Sequence, residues 1–260
     1  MTRAEKIIAF VERYCLVPEG KLVGQPIVLE DFQKKFIYDV YDNPHGTHMA
    51  ILSLARKNGK TALIACLLLA HIIGPEAKLN SQIVSGALSR DQAAIVFNLA
   101  VKMLMLNPEL EGLYHIIPTG KKITGLAKNV EYKALSAEGK TTHGLSPILA
   151  ILDETGQVRG SQDDFIDAVT TAQGAHEAPL LMVISTQAAT DADILSIWID
   201  DALKGEDPKT VCHLYSAPID MDILDREAWK MANPALGIFR SEADMQKNME
   251  RASRMPSAEN

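Results

Sequence analysis

Ser53-Leu54-Ala55-Arg56-Lys57-Asn58-Gly59-Lys60-Thr61 decides how the rest of this chain is read. An apolar run, residues 49–54, leads into it, and a second apolar run, residues 62–73, follows. A strand, a short polar loop closing on Gly-Lys-Thr and then a helix is the geometry of a phosphate-binding P-loop. Backbone N–H groups at the helix N-terminus face the anion, and the helix dipole favours negative charge there. In such a loop Lys60 reaches the β- and γ-phosphates and Thr61 offers its hydroxyl to Mg²⁺. Leu54 stands where the G-x-x-x-x-G-K-[ST] pattern has its first glycine, so the loop alone leaves nucleotide binding open.

The composition bounds the answer. The chain has 260 residues, ample for one sizeable core. Its apolar share of 47% and charged share of 23% are those of an ordinary soluble globular protein. With a formal net charge of −7, nucleic acid can be held only by a local basic patch, not by the overall field. Cys15, Cys66 and Cys212 lie far apart, and two of them sit in apolar runs. Buried reduced thiols in a reducing compartment follow. Residues 1–10 mix charged and apolar residues and lack a signal-peptide core, while residues 62–73 are too short to span a bilayer and are interrupted by His71. A soluble protein with no membrane contact, working in the cytoplasm, is expected.

Outward from the loop, strand and helix signals alternate. Thr2-Arg3-Ala4-Glu5 reads as a capping box opening a helix with Ile7, Ile8, Val11, Tyr14 and Cys15 on one face. Residues 30–41 form a second amphipathic helix. Residues 82–87 read as a strand, and Ser89-Arg90-Asp91-Gln92 caps the helix after it. Residues 107–128, broken by Pro108, Pro118, Gly120 and Gly125, read as loop. Residues 130–135 alternate like a strand with one wet face, whereas 148–152 and 180–184 are unbroken apolar runs suited to buried parallel strands. Residues 211–215 look like the last strand. The expected fold is α/β, a P-loop NTPase of the ASCE or RecA-like kind with a mainly parallel sheet flanked by helices. The expected division is an ATPase core over 1–216 and a small helical lid or linker over 217–260.

Two strand ends carry further chemistry. Asp153-Glu154 places two carboxylates at the carboxyl edge of the sheet, where open α/β folds bind ligands. With the P-loop on a neighbouring strand, Asp153 can hold Mg²⁺ through water and Glu154 can polarise an attacking water. A phosphate cradle, a metal and an oriented nucleophile are what phosphoryl transfer needs. Ser185-Thr186, ending the 180–184 run, can set a polar sensor beside the γ-phosphate. Taken singly, each of these could be a solvated strand end; their joint presence favours an ATPase.

The loop sequence, Ser89-Arg90-Asp91-Gln92-Ala93 and Gly144-Leu145-Ser146-Pro147 ahead of Ile151-Leu152-Asp153-Glu154 together resemble the ATPase half of the large terminase subunit of tailed bacteriophages. The resemblance runs from about residue 25 to the C-terminal end, and a degenerate first glycine and a loop arginine are typical of that family. It implies that Lys57, Asn58, Gly59, Lys60 and Thr61 cradle ATP, that Thr61 and Asp153 hold Mg²⁺, and that Glu154 is the catalytic carboxylate. It implies further that Arg56 acts on the γ-phosphate, with a planar fork that lysine lacks, and that Gln33 reads the adenine edge. Ser185 and Thr186 match its coupling motif. Arg159 is a candidate for an arginine acting on a neighbouring subunit, with Arg90 as the alternative. The implied partners are double-stranded DNA, a portal protein, a small terminase subunit and like subunits in a ring on the procapsid, in the host cell cytoplasm. The family's second half, a nuclease, is expected to lie beyond this chain. Asp220, Asp222 and Asp225 read as helix caps, not as a metal site.

Other readings compete. A P-loop helicase or remodelling ATPase is the first, and a non-catalytic nucleotide-binding scaffold the second; an intact Glu154 argues against the scaffold. His45-x-x-His48 has ligand spacing but no third partner nearby and reads as surface. Asp191, Asp193, Asp200 and Asp201 read as caps and solvated faces. Lys121, Lys122, Lys128, Lys133 and Lys140 cluster before Asp153 and could grip DNA phosphates without reading sequence.

Overall fold

The computed structural model describes residues 1–137 and 144–254; Lys140 and Met255 fall outside them. Helices α1 (Arg3–Tyr14) and α2 (Asp31–Tyr41) open the chain. The capping box at α1 forms as expected: the Glu5 N–H donates to Thr2 Oγ1 at 3.2 Å and the Thr2 N–H to Glu5 Oε2 at 2.8 Å. Ile7, Val11 and Cys15 of the first helical face meet Phe36, Ile37 and Val40 of the second in the core, with Ile8 and Tyr14 at its rim.

The α/β body follows in the order β1 (Met49–Ser53), α3 (Lys60–Ile72), β2 (Gln82–Ala87), α4 (Arg90–Leu106), β3 (Tyr114–Ile117), β4 (Lys122–Gly125), β5 (Val130–Ser136), β6 (Pro147–Asp153), α5 (Asp164–Ala172), β7 (Leu180–Ser185), α6 (Ile194–Lys204) and β8 (Thr210–Leu214). Then come α7 (Arg226–Ala232) and α8 (Glu242–Arg254). The eight strands form one sheet in the order β3-β4-β5-β2-β6-β7-β1-β8. From β5 to β8 all neighbours are parallel, while β3 and β4 are antiparallel additions at one edge. One face of the sheet is covered by α1 to α4, the other by α5 and α6.

Helix α3 is buried almost all round, which is why its sequence is apolar without a polar face. His71, the one break in that run, is kept neutral. Its Nε2 shares a hydrogen bond with Tyr41 Oη at 2.9 Å, and burial pushes its pKa down to about 4. Cys15 and Cys66 are buried free thiols and Cys212 is half-buried. No helix of the described residues is long and apolar enough to cross a membrane.

Two expectations are corrected. Residues 107–128 are not all loop, since they hold the hairpin β3–β4. Each strand spans one residue pair on its buried side, too short for alternation to show between prolines and glycines. Gly125 is there because the hairpin lies against the end of α3: a Cβ would stand 2.1 Å from the Ile72 carbonyl oxygen. Second, β6 does not neighbour β1; β7 lies between them. The two-strand separation, roughly 10 Å, leaves room for a ligand between the Gly-Lys-Thr loop and Asp153-Glu154.

Candidate functional site

Strands β1, β7 and β6 end at one edge of the sheet. Register places Ser53 beside Ser185, and Asp153 beside Ile184, so Ser53, Ser185 and Asp153 sit at about one level. The loop after β1 turns on Lys57 (φ 65°) and Gly59 (φ 76°), and Gly59 delivers the chain into α3. The first turn of α3 thereby points its free N–H groups at this edge, a ready anion site. Leu54 needs no glycine at its position. Its backbone is outside the left-handed region and its side chain is buried in the core.

Inside the loop, Asn58 Nδ2 donates to the carbonyl oxygens of Ala55 (3.0 Å) and Arg56 (3.3 Å). Lys60 is folded back, its Nζ donating to the carbonyl oxygens of Leu54 (2.9 Å) and Ala55 (3.3 Å). Burial lowers its pKa, a shift opposed by the nearby charges of Glu154 and Asp153. An ammonium in contact with carbonyl oxygens is a donor that a phosphate can recruit without crossing solvent.

Opposite stands the acidic pair. Asp153 Oδ1 is buried with no hydrogen-bond partner, and so is Ser53 Oγ. Burial first, then the charge of Glu154, raises the Asp153 pKa from 3.8 to about 6. Glu154 adopts φ 55° at the strand end, and its Oε2 accepts from Gln157 Nε2 (3.3 Å) and from Thr186 Oγ1 (3.4 Å). Gly156 N–H donates to Ser185 Oγ at 2.8 Å. The Asp153-Glu154 loop and the Ser185-Thr186 strand end are thus joined by direct bonds. A buried carboxylate oxygen without a partner, facing a loop that ends in Thr61, fits a hard divalent cation such as Mg²⁺.

The unpaired carboxylate carries a stability cost. The folded pKa of Asp153 lies above its unfolded value, so ionisation opposes folding: the cost is absent below pH 3.8, grows up to about pH 6 and is complete above. Asp153→Asn is therefore expected to stabilise the ligand-free protein by about 1–2 kcal/mol at pH 8. Thermal melts at pH 8 and pH 5 check this, because the gain must shrink at the lower pH. An equal gain at both would assign it to something other than the charge.

The remaining residues of interest are placed as follows. Gln33 is buried at the start of α2, with Oε1 accepting the Glu30 N–H at 3.0 Å, and its Nε2 faces Gly59. Arg56 is exposed on the loop. Arg159 is exposed and pairs with Asp193 at 3.3 Å. Asp193 also accepts the N–H groups of Gly160 (2.8 Å) and Thr190 (3.0 Å), so it braces the loop that carries Arg159. Arg90 is exposed at the start of α4 and lines a cavity of about 350 Å³ with Lys121 and Lys133. Lys128 is spent elsewhere, donating to the Ala77 carbonyl oxygen at 2.7 Å. Asp225 caps α7 and Asp222 accepts the Leu224 N–H. His48 pairs with Asp207, and no His, Cys, Asp or Glu group among the described residues could hold a metal by itself.

Sequence reasoning missed the tail's part in this site. Asn233, Ala235 and Arg240, between α7 and α8, bond directly to the Gly-Lys-Thr loop. No periodicity signals such contacts, which join residues about 175 positions apart in the chain.

An α/β sheet with this loop, these carboxylates and an intervening strand is the architecture of a P-loop ATPase domain. Comparison with known proteins agrees. The family model for the terminase large subunit, ATPase domain, matches residues 31–197. The large terminase subunit of Enterobacteria phage HK97 is 74% identical over all 260 residues, which cover 52% of it. The crystal structure of the HK97 large terminase superposes with a TM-score of 0.95 at 72% identity, over 99% of this chain and 53% of that one. The ATPase domain of the Thermus phage P74-26 large terminase shares the fold alone, with a TM-score of 0.56 at 16% identity over 89% of this chain and 90% of its own. This chain belongs to the terminase large subunit ATPase-domain family. It spans about half the length of the HK97 protein it matches.

Proposed function

We propose that the chain is the ATPase module of a viral genome-packaging motor, hydrolysing ATP to drive double-stranded DNA into a procapsid. The observation that carries the reading is the meeting, on one sheet edge, of the α3 N-terminus with Lys60 and Thr61, the unpartnered Asp153 oxygen, and Glu154 bonded to Thr186. Lys57, Asn58, Gly59, Lys60 and Thr61 cradle the triphosphate. Thr61 and Asp153 hold Mg²⁺, which when bound neutralises charge on the β- and γ-phosphate oxygens. Glu154 accepts the proton of the attacking water, and Thr186, through its bond to Glu154, couples that event to β7. Arg56 stabilises γ-phosphate charge. Arg159, carried on the loop that follows Glu154, serves a neighbouring subunit, with the equally exposed Arg90 as the alternative.

In this reading residues 1–216 are the ATPase core and 217–260 a lid or linker, working in the host cell cytoplasm. Its partners are DNA, a portal protein, a small terminase subunit and further copies of itself in a ring. ATP titration by calorimetry tests the site: Lys60→Ala is expected to weaken binding by roughly 30-fold or more. Equal affinity in that variant would remove the phosphate cradle from the account. Stimulation of turnover by portal and procapsid, and not by single-stranded nucleic acid, separates a packaging motor from a helicase.

A further inference from the structure

The turn between α7 and α8 sits on the Gly-Lys-Thr loop and is fastened there. Asn58 is fully buried, its Nδ2 donating to Asn233 Oδ1 at 3.0 Å and its Oδ1 accepting the Ala235 N–H at 3.2 Å. Arg240 donates from Nη1 to the Arg56 carbonyl oxygen at 2.8 Å and also contacts Asn233 Oδ1. Asn233 Nδ2 in turn holds the Trp229 carbonyl oxygen at 2.9 Å, tying the turn to α7.

These bonds fix where Phe239 lies. A Cβ built on Gly59 would stand 3.1 and 3.2 Å from two atoms of the Phe239 ring and 3.6 Å from Gln33 Nε2. The ring and the amide therefore flank the same point above the loop. The ring belongs to neither core cluster, and the residue is 48% exposed, so it is not used up by packing. Gln33 Oε1 is already occupied by the Glu30 N–H, which leaves Nε2 as a lone neutral donor. A half-exposed aromatic side chain beside one neutral donor does not match a phosphate. It matches a heteroaromatic base, whose π face stacks and whose ring nitrogen accepts.

We propose that Phe239 is the base-stacking residue of the nucleotide site, contributed by the C-terminal turn and paired with the Gln33 Nε2 donor. The inference rests on the nucleotide-site reading above, including the adenine-edge role the resemblance implies for Gln33, and adds to it the residue that stacks on the base. It also gives the Asn58–Asn233 bond a purpose, since that bond ties the position of the stacking ring to the loop that holds the phosphates.

The test is calorimetric titration of the full chain with ATP and, separately, with inorganic tripolyphosphate, for wild type and for Phe239→Ala, Phe239→Leu and Phe239→Trp. Phe239→Ala and Phe239→Leu are expected to weaken ATP binding by roughly 5- to 100-fold, with Phe239→Trp close to wild type. Tripolyphosphate, which has no base, should bind all four proteins alike. Unchanged or tighter ATP binding in Phe239→Ala would overturn the proposal, the tighter result meaning that the ring blocks the site. So would wild-type affinity in Phe239→Leu, or a parallel loss of both ligands. Wild-type protein that binds neither ligand, indistinguishable from Lys60→Ala, would instead remove the nucleotide site itself and this inference with it.

Discussion

Glu154→Gln is expected to lower ATP turnover by about 10²- to 10⁴-fold, the range over which a positioned general base acts, while ATP affinity stays within a few-fold of wild type. The substitution is nearly isosteric. The side-chain oxygen that accepts from Thr186 Oγ1 at 3.4 Å is retained, so the link to β7 survives. What is lost is the capacity to take a proton, together with one negative charge near Lys60 and Asp153. Removing that charge should help an anionic ligand to bind, if anything, so slow turnover cannot be attributed to an empty site. Single-turnover hydrolysis at saturating ATP isolates the chemical step from product release. Retained turnover in Glu154→Gln would move the base elsewhere, whereas loss of both binding and turnover would make Glu154 a structural residue of the loop.

The sheet was legible because its parallel strands are buried on both sides and announce themselves as apolar runs, 148–152 and 180–184 being the clearest. The caps at Thr2 and Ser89 were legible because their chemistry is local in sequence. Strand order is a different matter. That β7 should enter between β1 and β6 depends on how crossover connections pack, and the residues of the strands themselves do not encode it. The same limit applied to the site. Lys60, Thr61, Asp153 and Glu154 are candidates that type and position single out, but the bond from Gly156 to Ser185 and the seating of Asn233 on Asn58 join residues far apart in the chain. Leu54 shows the reverse case. Its departure from the glycine pattern looks like a defect in sequence and proves to be a buried packing position in the fold.

Gly156→Ala should be the most disruptive single methyl at this edge. A Cβ there would stand 2.3 Å from the Thr186 carbonyl oxygen and 2.7 Å from that of Gln187. Both obstacles are backbone, so no rotamer change relieves them; either the Asp153-Glu154 loop or the end of β7 must move. Overpacking of this kind typically costs about 1–3 kcal/mol, and more where backbone meets backbone. The melting temperature is then expected to fall by about 5–10 °C. Displacement also separates Glu154 from Thr186 and weakens the Gly156 N–H bond to Ser185 Oγ, so turnover should drop even in the folded fraction. Two companions isolate the cause. Ser185→Ala removes the hydroxyl acceptor without adding bulk; it leaves the buried Gly156 N–H unpaired and should cost about 1–3 kcal/mol without displacing backbone. Gly174→Ala adds the same methyl where nothing lies within 4 Å and should leave the melt nearly unchanged. If Gly156→Ala melts within a degree of wild type, the loop and β7 are not in the close contact on which the coupling of Glu154 to the sheet depends.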